Sequence, residues 1–155
     1  MELSKHSKKV QKYLNKFNLD LEVVELPNST RTAEEAANAI GCKVGQIIKS
    51  LIFKNGKNPV LILVSGDNKL NVEKFEKEFS ISLEKADAKF VKEKTGFSIG
   101  GVPPAGHKEQ LETFIDEDLL QYDEIWAAAG MPFSVFRIES SNIQKITGGK
   151  IIKIS

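Results

Sequence analysis

From Leu3 to Phe17 the apolar residues Leu3, Val10, Leu14 and Phe17 return with helical periodicity, while Lys5, Lys9, Lys12 and Lys16 follow the same period on another side. The pattern predicts an amphipathic helix over Ser4–Phe17. Its lysine face reads either as a solvated surface or as a stripe that tracks the phosphates of an RNA backbone. Leu21–Leu26 then reads as a short strand ending at Pro27. Thr32-Ala33-Glu34-Glu35 fits a capping box, and the helix it opens stops at Gly41. Ile47–Lys54 and Pro59–Val64 are strands, with Asn55-Gly56 as the hairpin turn between them. Pro59 has no N–H to donate and belongs at its strand's start.

Further on, Gly66-Asp67-Asn68 turns the chain, and Asn71 caps a helix through Phe79 that turns Val72, Phe75 and Phe79 inward. A short strand near Ser82–Lys85 precedes a helix from Asp87 to Thr95-Gly96. The run Gly100-Gly101-Val102-Pro103-Pro104-Ala105-Gly106 excludes both regular helix and central strand. Beyond it the pattern predicts strands at Leu111–Ile115, Glu124–Ala129, Ser134–Ile138 and Lys150–Ser155, and helices at Asp116–Gln121 and Ser140–Ile146. Strands and helices intermix without strict alternation, so the fold class is α/β in the broad sense, an α+β domain with a mixed sheet. No linker, repeat or low-complexity tract interrupts it, and residues 1–155 are expected to form one compact domain.

Composition narrows the chemistry. The formal net charge is only +1, so any RNA contact has to come from a local patch. Cys42 is the only cysteine, which suits a reducing cytoplasm, and its place after a helix C-terminus raises a thiol pKa. The N-terminus lacks an apolar leader, and Pro59–Val64 is too short to span a bilayer. The two histidines, His6 and His107, sit in no metal-ligand spacing, and neither a Walker A motif nor GxGxxG is present, so no metal and no cofactor is expected. Ser134 has no evident His partner, so a Ser-His-Asp triad is not expected and water or the substrate must supply much of the proton chemistry.

Three features remain. On strand alternation Lys49 shares a face with Ile47, Leu51 and Phe53, opposite Gln46, Ile48, Ser50 and Ile52. It reads either as a lysine snorkelling at a sheet edge or as a cation held in a cleft to bind phosphate or polarise a carbonyl. Gly100 and Gly101 let backbone N–H groups approach a ligand, and Pro103 and Pro104 stiffen that turn; a plain tight loop is the other reading. Ala127-Ala128-Ala129-Gly130 either permits close packing or leaves room for a small ligand side chain.

In their order and spacing, Thr32–Ala37, Ile48-Lys49-Ser50-Leu51, Gly100–Pro104 and Ala127–Gly130 resemble the YbaK/ProX family of aminoacyl-tRNA deacylases, related to the editing domain inserted in bacterial prolyl-tRNA synthetases. GGVPPAGH and AAAGMP look most like its freestanding ProX-type branch. The resemblance implies a partly barrel-like sheet flanked by helices. It implies hydrolysis in trans of the ester of a mischarged tRNA, with alanyl- and cysteinyl-tRNA(Pro) the leading substrates. Lys49, Gly100 and Gly101 would be catalytic, and Ser50, Val102, Pro104, Ala128, Gly130 and Ser134 would bind substrate. Lys5, Lys9 and Lys12 would touch the acceptor stem. The implied partners are the tRNA acceptor end and, transiently, prolyl-tRNA synthetase or an elongation factor, with no membrane; the protein would be a monomer or homodimer. A non-catalytic tRNA- or synthetase-binding module and a small-ester hydrolase are the alternatives.

Overall fold

The structure, a computed structural model, describes residues 3–27 and 32–154. The first helix, α1, spans Lys5–Leu14 and continues as one 3-10 turn through Phe17. Ser4 caps it by accepting from the Ser7 N–H, and Val10 and Leu14 are its buried stripe. Helix α2 (Ala33–Ile40) begins at Thr32, whose hydroxyl accepts from the Glu35 N–H, and ends at Gly41 in the left-handed region. Helices α3 (Val72–Phe79) and α4 (Ala88–Thr95) start at the side-chain caps Asn71 and Asp87, and α5 (Ile143–Thr147) follows a short 3-10 turn. These caps satisfy N–H groups that a helix start leaves without partners.

Eight strands are described: β1 (Val23–Glu25), β2 (Ile48–Asn55), β3 (Asn58–Ser65), β4 (Glu84–Lys85), β5 (Glu112–Asp116), β6 (Glu124–Ala128), β7 (Ser134–Glu139) and β8 (Lys150–Ile152). They form two sheets, ordered β1-β7-β6 and β4-β2-β3-β5-β8. The β2–β3 hairpin is present with Asn55 paired to Asn58, so its two turn residues are Gly56 and Lys57, one step later than Asn55-Gly56. Asn55 is the last ladder residue because it still pairs, and Gly56 supplies the positive φ that the tight turn needs. Asp116–Gln121 forms a 3-10 turn after Asp116, and β8 stops at Ile152, while Ser155 lies outside the described residues.

The hairpin strand β3 is buried almost throughout, so the five-stranded sheet is covered on both faces. One face carries Ile48, Leu61, Leu63 and Ile115 and packs against α1, α4 and the three-stranded sheet. The other carries Val60, Ile62, Val64 and Phe114 and packs under α3 through Phe75. A third, smaller cluster seats the small residues Ala36 and Ala37 of α2 on Ile47, with Trp126 alongside.

The mixed α+β fold is as expected, but the sheets do not close into a barrel. Among the described residues they are joined by one isolated parallel bridge, Ile47 to Trp126. The backbone directions on either side of that bridge show how the two edges are oriented. Gly66 donates to the Ile47 carbonyl on the β3 side, so by alternation Ile48 and Ser50 turn their backbone groups away from β3. Ala129 donates to Ser134 on the β7 side, so Trp126 and Ala128 turn theirs away from β7. The two strand edges thus face one another, meet at the bridge and then splay apart. The space between them is a cleft.

Candidate active site

The cleft has a volume of about 370 Å³ and is lined by both splayed edges, the start of α2 and the Gly100–Val102 loop. From β2 it takes Ile48, Lys49, Ser50 and Leu51; from β6, Trp126, Ala127 and Ala128. Small side chains on the β6 wall leave the room that larger ones would fill.

Lys49 stands at the end of the β2 face that holds Leu51 and Phe53. The half-buried Lys49 donates from its ammonium to the Asn68 carbonyl at 2.5 Å. An ammonium has three donors. None of the described carboxylates lies within ion-pair distance of Lys49, so two donors and an uncompensated charge remain for a ligand. The Asn68 carbonyl is itself held. The buried carboxylate of Asp116 accepts from the Ser65 N–H, the Asn68 side-chain amide and the Asp118 N–H, each at 2.9 Å. Asn68 also donates to Asp118 at 2.7 Å. A carboxylate at the end of β5 thereby fixes the turn after β3, and that turn aims the lysine on β2. Sequence reading missed Asp116 and Asn68, because the link joins residues 48 positions apart and exists only once β3 and β5 pair.

The loop after α4 is rigid for local reasons. Gly101 donates to the Ser98 carbonyl at 3.1 Å, and its own carbonyl accepts from Gly130 at 2.8 Å. A Cβ on Gly101 would lie 2.8 Å from the Gly130 backbone, so only glycine fits this crossing. The Gly101 N–H is therefore already engaged. The N–H groups of Gly100 and Val102, which line the cleft, have no partner among the described residues. They are the donors available at the lip. Pro103 and Pro104 are buried behind them, and His107 closes the turn with Nε2 2.6 Å from the Pro103 carbonyl. A carbonyl only accepts, so Nε2 carries the proton. Burial, with Lys9 assisting, pushes the His107 pKa down to about 4 despite the Pro103 contact, so the ring is neutral at neutral pH.

The expected site residues separate accordingly. Lys49, Ser50, Gly100, Val102 and Ala128 come together on the cleft. Gly101, Gly130 and Ser134 lie behind it as supports: the Ser134 hydroxyl is buried, accepts from Met131 N–H at 3.0 Å and returns a bond to its carbonyl, closing the turn that holds Gly130. Pro104 lines a separate, smaller hollow of about 50 Å³ beside Tyr13 and His107. Lys5, Lys9 and Lys12 lie on α1, outside the cleft. The Ser50 hydroxyl is buried with no partner, an arrangement that costs stability unless a ligand completes it. Glu34 and Trp126 also line the cleft, and strand or helix periodicity alone could not point to them. The Cys42 thiol is pushed up by burial and is not poised as a nucleophile. Among the described residues no cluster of three or more His, Cys, Asp or Glu side chains could hold a metal ion, and no helix is long and apolar enough to cross a membrane.

Residues 27–146 match the family model of the aminoacyl-tRNA editing domain. The chain belongs to this family. It is a YbaK/ProX-like aminoacyl-tRNA deacylase, a hydrolase of translation fidelity. A solved structure described as a proposed trans-editing enzyme for prolyl tRNA synthetase superposes with a TM-score of 0.94 at 45% identity, covering 99% of each chain. EbsC of Enterococcus faecalis, named as a proposed Cys-tRNA(Pro)/Cys-tRNA(Cys) deacylase, is 29% identical over 80% of this chain and 77% of its own. A proline–tRNA ligase of Thermoanaerobacter is 37% identical over 66% of this chain, which corresponds to 18% of the ligase. The candidate site in this chain is the cleft in which Lys49 meets the Gly100–Val102 loop.

Proposed function

We propose that this editing domain acts in trans, over residues 1–155, on tRNA(Pro) mischarged with alanine or cysteine. The observation that carries the reading is the meeting, in one cleft, of the Lys49 ammonium, the open N–H groups of Gly100 and Val102, and the small-residue wall Ala127-Ala128. The wall accepts a side chain of one or two heavy atoms. Lys49 holds the electron-rich aminoacyl-adenosine end. Water attacks the ester carbonyl, and the oxyanion that forms accepts from the loop N–H groups. The ribose oxygen leaves as a hydroxyl, taking up the proton that the attacking water gives off. Glu34 is the one carboxylate on the cleft wall among the described residues, and it suits the ammonium of the aminoacyl group. Ser50 supplies a hydroxyl that a bound polar group would complete. Such an enzyme works in the cytoplasm, as a monomer or homodimer, on tRNA released by prolyl-tRNA synthetase or carried by an elongation factor.

The test is a deacylation panel on tRNA(Pro) charged with alanine, cysteine, serine or proline. Release of alanine or cysteine with proline retained supports the assignment. Equal release of all four, or preference for proline, contradicts it.

A further inference from the structure

The positive charge of this chain is not spread evenly. Between Leu3 and Phe17 there are five lysines and no acidic residue, in a protein whose net charge is only +1. Helix α1 has no acid in its first turn and carries Lys5 there, against the helix dipole. Lys5–Lys9 and Lys8–Lys12 are like-charge neighbours at i, i+4, an arrangement that disfavours an isolated helix. The fold adds more positive charge to the same place. Lys92 of α4 points its ammonium to the Gly96 carbonyl at 3.5 Å. Lys9 lies 5.1 Å over the Phe97 ring, and a Cβ placed on Gly96 would meet the Lys9 ammonium at 3.3 Å and the Lys108 side chain at 3.5 Å. Three lysines from three segments thus gather around Gly96. Lys5, Lys9 and Lys92 also depress the pKa of His6, after burial itself, which places all three near that ring.

Acidic neighbours do not cancel the patch. Glu109 pairs with Lys94 at 3.7 Å, and Glu25 on the far side of α1 accepts from Ser4 and Ser7. Among the described residues, Lys5, Lys9, Lys12, Lys92 and Lys108 have no carboxylate within 4.0 Å. The patch also adjoins the cleft. A Cβ on Gly130 would meet the His6 backbone at 2.9 Å, and Gly130 donates to Gly101, the neighbour of Gly100 on the cleft lip.

We infer that Lys5, Lys9, Lys12, Lys92 and Lys108 form one docking surface for the phosphate backbone of an RNA helix whose aminoacylated end enters the cleft. This rests on the proposed tRNA substrate and adds how the helix is held. The lysines sit on two helices and a loop that the fold fixes together, so the surface is preorganised. It contacts phosphates, so it contributes affinity without selecting sequence.

The test compares Lys5→Gln/Lys9→Gln/Lys92→Gln with a control triple, Lys57→Gln/Lys77→Gln/Lys153→Gln, which removes the same charge elsewhere. Binding of uncharged tRNA(Pro) is titrated across salt concentrations. The patch triple should flatten the slope of log affinity against log salt by about 2–3 and weaken binding roughly tenfold or more at low salt. The control triple should follow the wild type. Because Lys9 rests on Phe97, the pair Lys5→Gln/Lys92→Gln is measured too, and by itself should flatten the slope by about 1–2. On charged substrates the rise in KM should be several-fold larger for whole tRNA than for an aminoacylated CCA trinucleotide. Equal slopes for the patch and control variants would overturn the surface. A wild type that binds tRNA with a patch-dependent slope yet releases no amino acid would overturn the proposed substrate and leave the surface standing.

Discussion

His107 offers a quantitative check on how the cleft loop is held. Its ring is neutral in the fold, with a pKa lowered from 6.5 to about 4 by burial, and Nε2–H bonds the Pro103 carbonyl. Unfolding returns it to the ordinary value. Between those two pKa values the unfolded chain binds the extra proton and the folded chain resists it, so stability falls as pH drops through the window. The contribution is fully present above pH 6.5 and fully lost below about 4. The gap corresponds to about 3 kcal/mol in total, and to about 2 kcal/mol between pH 7.5 and pH 5. Replacement by glutamine keeps a donor for the Pro103 carbonyl and removes the titration. Urea unfolding at pH 7.5, 6 and 5 should therefore show wild type losing about 2 kcal/mol more than His107→Gln over that range. Every other group is common to the two proteins and cancels in the difference. Parallel pH profiles for the two proteins would refute the buried, neutral ring and the loop closure that depends on it.

Two further predictions concern the supports of the site. Asp116→Ala strands the Ser65 N–H, the Asn68 amide and the Asp118 N–H together, and should cost about 3 kcal/mol in chemical denaturation. The milder Asp116→Asn should remain folded yet lower kcat/KM roughly tenfold or more, because the Asn68 carbonyl no longer holds Lys49 in place; unchanged kinetics in a folded Asp116→Asn protein would disprove that link. Gly101→Ala places a methyl 2.8 Å from the Gly130 backbone and should destabilise by about 1–3 kcal/mol, read as a lower melting temperature, whereas Gly41→Ala meets no atom within 4 Å and should show only the strain of its positive φ.

Local chemistry explains what could be read from the sequence. The caps at Thr32, Asn71 and Asp87, the left-handed stop at Gly41 and the β2–β3 hairpin all depend on residues a few positions apart, and all were legible. Lys49 was legible as a cation on an apolar strand face, Gly100 and Val102 as part of a turn whose backbone can approach a ligand, and Ala128 as part of a small-residue run, while Ser50 came only with the family resemblance. Their convergence was not, since it depends on two strand edges meeting at Ile47–Trp126 and then diverging. The same divergence defeats the barrel-like expectation. Ser134 was carried over from the family resemblance and Gly101 from the backbone freedom of glycine; the hydrogen bonds they make, with Met131 and with Ser98 and Gly130, could not be read from the sequence. Asp116 could not be found at all, being one acid among many until β5 lies beside β3.

The most direct measurement is single-turnover release of alanine or cysteine from mischarged tRNA(Pro) by the wild type and by Lys49→Ala, with folding of both confirmed by circular dichroism. Removing a preorganised cation from the cleft should lower the rate by on the order of 100- to 1,000-fold while leaving the fold intact. A folded Lys49→Ala protein that releases the amino acid at the wild-type rate would contradict the assignment of this cleft as the editing site.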